Sequence, residues 1–117
     1  DAILYAIAAA LGFAAVENAL YAHTFGAEVL LLRSVIGFAV HASFAGIAGY
    51  FVGSSLLRGE GVAPGAVRGV SAAAFLHGLY DFAILTQLLS PGGILMAVAL
   101  LYALLSSRIG AARETAA

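Results

Sequence analysis

From Ser34 to Leu57 the chain runs without a single Asp, Glu, Lys or Arg. An apolar run of that length spans a bilayer even when tilted, and it is too long for a strand. Three further apolar stretches accompany it, at about residues 2–22, 69–89 and 93–107. Only 9% of residues are charged against 63% hydrophobic, with a mean hydropathy of +1.06. Soluble domains carry about 25% charged residues, so the composition argues for an integral membrane protein. Backbone groups in hydrocarbon must satisfy one another, which leaves helices or a closed barrel. Continuous apolar blocks without strict alternation select helices. The expected fold is therefore all-α: a single membrane-embedded domain over 1–117, a polytopic helix bundle of about four spans. The last stretch is short for a full crossing, and Arg108 to Ala117 reads as a polar, frayed tail.

The connections are expected at His23–Glu28, at Arg58–Gly65 and at Ser90–Gly93, where charge, glycine or proline interrupts the pattern. If the helices alternate, Arg58, Arg68, Arg108 and Arg113 share one side and Arg33 stands alone on the other. The positive-inside rule then puts both ends of this segment in the cytoplasm, in what would be a prokaryotic plasma membrane. Asp1 is not a methionine, and no basic leader precedes the first apolar stretch, so the segment reads as a piece lacking its amino-terminal part.

Near-neutral charge removes any case for nucleic-acid binding through a basic surface. The absence of cysteine excludes disulfides, thiolate metal sites and cysteine nucleophiles. No glycine pattern matches a phosphate loop or a dinucleotide fingerprint, so no soluble cofactor is expected. The step Gly49-x-x-x-Gly53 allows close approach of two helices. Internal packing is the favoured use of that step, and a homo-oligomer through the same face is the alternative.

Four ionisable residues lie inside apolar blocks where they are costly: Glu17, His41, His77 and Asp81. Counted at about 1.5 Å per residue from the expected outer loops, they lie about 9, 12, 20 and 13 Å deep. All four can therefore meet in the outer half of the bilayer. His77 and Asp81 are an i, i+4 pair on one helix face, a spacing at which imidazole and carboxylate share a divalent cation. His41 and Glu17 would complete a zinc site, and a zinc-bound water ionising near neutrality would be a nucleophile for amide hydrolysis. The same residues could instead form a proton or ion path, or merely satisfy one another inside a silent scaffold.

Gly12-Phe13-Ala14-Ala15-Val16-Glu17-Asn18 resembles the Gly-Phe-x-x-x-Glu-Asn signature of the PrsW family of intramembrane proteases. Arg33 followed by His41 and the glycines from Gly46 to Gly53 is similar to that family's next motif helix. Phe75 to Phe82, with His77-x-x-x-Asp81, resembles its final motif. The resemblance implies a relative of the CAAX-processing and bacteriocin-immunity membrane proteases. It implies metal- or glutamate-dependent cleavage of a single-pass membrane substrate, such as an anti-sigma factor, near the extracytoplasmic side. Glu17, His41, His77 and Asp81 would be the active-site residues, and Arg33 a structural or interfacial partner. The family's first motif, Glu-Glu-x-x-Lys, has no counterpart among these residues. The resemblance places it upstream, so the segment alone is not expected to run the full reaction.

Overall fold

The computed structural model describes residues 1–114. Four long helical rods make up the molecule. α1 covers Ala2–Phe25, and α2 covers Glu28–Leu32. A π-helical turn at Arg33–Gly37 joins α2 to α3, Phe38–Leu57, so that 28–57 is one rod. α4 covers Val62–Leu85 and α5 covers Pro91–Glu114. No strand occurs among the described residues. Three of the rods, Ala2–Phe25, Glu28–Leu57 and Gly92–Gly110, are long and apolar enough to cross a membrane. α4, which carries Arg68, His77 and Asp81, is not among them.

The helix ends differ from those expected, each for a local reason. α1 runs past Ala22 to Phe25, and within its last turn the Thr24 hydroxyl donates to the Leu20 carbonyl at 3.0 Å. It stops at Gly26, whose φ of +94° suits a residue without Cβ. Charged Glu28 opens the next helix rather than closing a loop. Pro64 sits within the first turn of α4, where its missing N–H has no intrahelical acceptor to lose. The loop expected over 58–65 therefore contracts to Arg58–Gly61. α5 is longer than the short last block expected, beginning where the Ser90 hydroxyl accepts the Gly93 N–H at 3.2 Å. Its helix includes 108–114 of the supposed frayed tail. Residues 115–117 and the side chain of Arg113 lie outside the described residues.

α3 is the central element, with α1, α4 and α5 all packed on it. Its glycines and small residues permit this. A Cβ on Gly49 would fall 2.6 Å from the Ile3 Cα of α1, and one on Gly53 would be 3.7 Å from the Ala2 Cβ. The Gly49/Gly53 step thus serves packing within the chain. Gly46 receives the Leu105 side chain of α5, which is buried against it. Across the α3–α4 contact the glycines belong to α4: Gly65 faces Phe51 and Ser55, and Gly69 faces Ala48. Helices lacking bulk at their contacts approach closely and gain dispersion energy where the hydrophobic effect offers none. Outward faces carry exposed large apolar side chains, including Leu4, Phe13, Val70, Phe75, Leu95 and Leu100. That inversion of a soluble protein suits a chain solvated by lipid.

Candidate active site

Glu17, His41, His77 and Asp81 converge on one cavity of ≈ 570 Å³. Glu17 and Tyr21 enter it from α1, Arg33 from the π turn and His41 from α3. His77, Tyr80 and Asp81 enter from α4, and apolar side chains of α5 close one wall. All four residues singled out in the sequence therefore line the same space. The depth estimate had put His77 deepest because the helix was carried to Leu89. With α4 ending at Leu85, His77 lies eight residues (85 − 77) from its helix end, and Glu17 lies eight (25 − 17) from the end of α1.

Glu17 is the hub. Its Oε2 accepts from Arg33 Nη2 at 2.8 Å and lies 3.0 Å from His41 Nε2. No hydrogen bond among the described residues reaches Oε1. His41 is 8% exposed, and its ring meets that of His77 edge-on with centroids 5.0 Å apart. Phe13 packs on His41 at 5.8 Å and Phe44 on His77 at 5.5 Å, so each imidazole is held by an aromatic neighbour. His77 Nε2 stands 3.5 Å from Asp81 Oδ2, an ionic contact longer than a hydrogen bond. Asp81 is the most open of the four, with its side chain 54% exposed.

Two residues acquire parts that sequence reasoning did not give them. Arg33, expected at the outer surface, is a partner of the site itself. Its Nε donates to Asn18 Oδ1 at 3.0 Å, and its guanidinium carbon lies 3.6 Å from the centroid of the Tyr21 ring. Asn18 is buried, at 5% exposure, and its Nδ2 has no partner among the described residues. Sequence position alone does not signal the pair: Glu17 and Arg33 lie 16 residues apart, each side chain is 24% exposed, and only the packing of the rods brings them together.

A family sequence model for PrsW family intramembrane metalloproteases matches residues 1–106. The chain belongs to the PrsW family. A curated Protease PrsW from Oceanobacillus iheyensis is 34% identical over 109 residues, covering 89% of this chain and 51% of that protein. Protease PrsW of Shouchella clausii is 34% identical over 82 residues, covering 70% of this chain and 38% of its own length. The Bacillus subtilis protein of the same name is 33% identical over 89 residues. The chain thus spans about half, or less, of the PrsW relatives it matches. No solved structure matches it. Family membership and the apolar helices together make this an integral membrane protein of an intramembrane protease family.

The family description prompts the question of whether these residues fit a metal. By kind they do: two imidazoles and two carboxylates face one cavity. The 5.0 Å between ring centroids is close to the roughly 5 Å that two imidazoles adopt on one tetrahedral zinc. Yet no group of three or more His, Asp or Glu side chains is drawn into a metal-holding cluster among the described residues. Glu17 has already committed Oε2 to Arg33 and His41. The fit is therefore to His41 and His77, with Asp81 the nearest carboxylate not held by an arginine.

Proposed function

We propose that this chain contributes the Glu17, His41, His77 and Asp81 part of the active site of an intramembrane endopeptidase. Its substrate is a single-pass, membrane-anchored protein such as an anti-sigma factor, cut near the extracytoplasmic side. The observation that carries this reading is the convergence of four costly ionisable side chains from three helices on one cavity. Arginine asymmetry supports cytoplasmic ends for the segment and an outward-facing site.

Amide hydrolysis requires a proton acceptor for the attacking water, polarisation of the carbonyl and a proton for the leaving amine. Glu17 Oε1 serves as the acceptor, because Oε2 is anchored while Oε1 has no partner among the described residues. His41, bonded to the same carboxylate, takes up the proton relayed through it. His77, steadied by Phe44 and facing Asp81, enters protonated and donates to the leaving nitrogen, and the proton taken up at His41 then passes through water to the neighbouring His77 to restore both. In place of those acid–base parts, His41, His77 and Asp81 would be the residues to hold a zinc ion, which would lower the pKa of a water towards roughly 7 and polarise the carbonyl.

The test uses the intact protein in lipid vesicles with a single-pass reporter. Glu17→Gln and His77→Ala are each expected to abolish cleavage, while metal analysis of wild type, His41→Ala, His77→Ala and Asp81→Ala reads out zinc. Undiminished cleavage by His77→Ala overturns the reading. A proton-relay role is the second reading, favoured by the adjacency of Glu17, His41, His77 and Asp81, whose gaps water would have to bridge. Proton flux across the vesicles without reporter cleavage would establish it.

A further inference from the structure

The roles given to Glu17, His41, His77 and Asp81 leave Arg33, Asn18 and the π-helical turn without a part to play, and the three belong together. In an uninterrupted α-helix, eight positions turn the helix by about 800°, which leaves residues 33 and 41 about 80° apart around the axis. A π turn advances less, roughly 82° per residue, so five residues in that state remove about 90° of rotation. The turn spans Arg33–Gly37, which returns Arg33 and His41 to one face. Both then reach the same atom, Glu17 Oε2, at 2.8 and 3.0 Å.

The guanidinium is itself held on three sides, and every holder lies on α1. Asn18 accepts from Nε, Glu17 accepts from Nη2, and the Tyr21 ring lies beneath the plane. Asn18 keeps its carbonyl oxygen towards Arg33 even though its amide nitrogen is then left buried and unpaired. A buried amide that faces one way at the expense of its own donor is being used for orientation. A lysine could replace the charge but not the fork, since one ammonium cannot serve both acceptors and stack on the ring.

We propose that Arg33 is a positioning residue for Glu17. The π turn aims its guanidinium so that Oε2 is pinned between Arg33 and His41, and Oε1 is presented to the cavity as the proton acceptor. Asn18 and Tyr21 fix the guanidinium in turn. The inference rests on the hydrolytic reading given above.

The experiment measures initial rates of the intact protein in vesicles against a quenched fluorescent single-pass peptide, varied in surface density to separate kcat from KM. Arg33→Gln and Arg33→Lys are both expected to lower kcat about 100-fold, with KM within twofold of wild type and thermal midpoints in detergent close to it. A positioning group acts on the chemical step and not on substrate affinity. Arg33→Ala with millimolar guanidinium is expected to regain about tenfold in kcat, because the vacated place opens on the cavity; ammonium restores nothing. A kcat within threefold of wild type in Arg33→Gln overturns the inference while leaving the protease reading intact. So does a change confined to KM, which would make Arg33 a substrate-binding group. Thermal collapse of both Arg33→Gln and Arg33→Lys shows a structural role and overturns it too. A wild-type protein that never cuts the peptide overturns the protease reading, and the inference with it.

Discussion

Each end of the α3 rod carries a glutamate bound to arginine, and the two clusters, named inner and outer for the orientation proposed above, are built differently. At the inner end Glu60 accepts from Arg58 Nε at 2.7 Å and from Ser55 Oγ at 3.0 Å, and Arg68 of α4 closes on it as well. Both carboxylate oxygens are used, and the partners lie within a stretch of chain from Ser55 to Arg68. At the outer end, Glu17 draws its partners from positions 33 and 41 and uses one oxygen for both. A neighbouring amide nitrogen stays unpaired, and a cavity opens beside the group. The inner cluster completes itself and clamps a helical hairpin. The outer one is assembled across two rods and left with spare capacity, which is the condition of a site that receives something else.

That contrast is broken most sharply by moving the same substitution between the two ends. Glu17→Gln is expected to reduce cleavage of a membrane-anchored reporter by about a thousandfold, within the range for loss of a general base. Glu60→Gln is expected to leave the rate within threefold. Initial rates of the two variants in vesicles, normalised to folded protein, check this. Equal losses at both ends would mean that the outer glutamate is structural, like the inner one.

How far the sequence could be read follows the same division. Helical class, the central rod and the four ionisable residues of the cavity were legible, because apolar length and misplaced charge are local signals. The pairing of Arg33 with Glu17 was not, since it depends on how the rods pack. The π turn was still less accessible: Ser34-Val35-Ile36-Gly37 reads as unremarkable apolar helix, and only contacts with α1 reveal why one face is kept. Pro64 misled in the opposite direction, since it reads as a loop residue yet is tolerated within a first helical turn. His77–Asp81 was legible as a pair, but its placement against His41 required α4 to end at Leu85.

Next in size is the packing that fixes the inner hairpin. A Cβ on Gly69 would sit 2.6 Å from the Ala48 carbonyl oxygen and 2.8 Å from its Cα, both backbone atoms that cannot swing aside. Gly69→Val is expected to cost roughly 1–3 kcal/mol through overpacking. Gly78, one residue after His77, meets nothing within 4 Å. Gly78→Ala is therefore expected to be neutral or stabilising by up to about 1 kcal/mol, from helix propensity alone. Thermal or denaturant unfolding in detergent compares the two. If Gly78→Ala destabilised as much as Gly69→Val, the outer part of α4 would be as closely packed as the inner hairpin, and the open site would lose its basis.

The smallest effect sharpens the comparison through pH. Hydrogen bonds from Arg58, Arg68 and Ser55 lower the Glu60 pKa from the ordinary 4.5 to about 2, and the same contact with Glu60 raises that of Arg58. A carboxyl group with a folded-state pKa below its unfolded value binds more protons when unfolded, so it stabilises the fold above the unfolded value. That contribution is complete above about pH 4.5 and drains away as the pH falls towards 2. The group lies at the water-exposed end of the hairpin, so solvent screening keeps the contribution small. Unfolding midpoints of wild type and Glu60→Gln are therefore expected to differ slightly at pH 6 and to converge by about pH 2. Added salt should shrink the difference at pH 6, because exposed charges are screened within about 10 Å at 0.1 M. A difference that persisted undiminished at low pH would mean that Glu60 acts through packing and not through its charge, and the inner cluster would no longer be an electrostatic clamp.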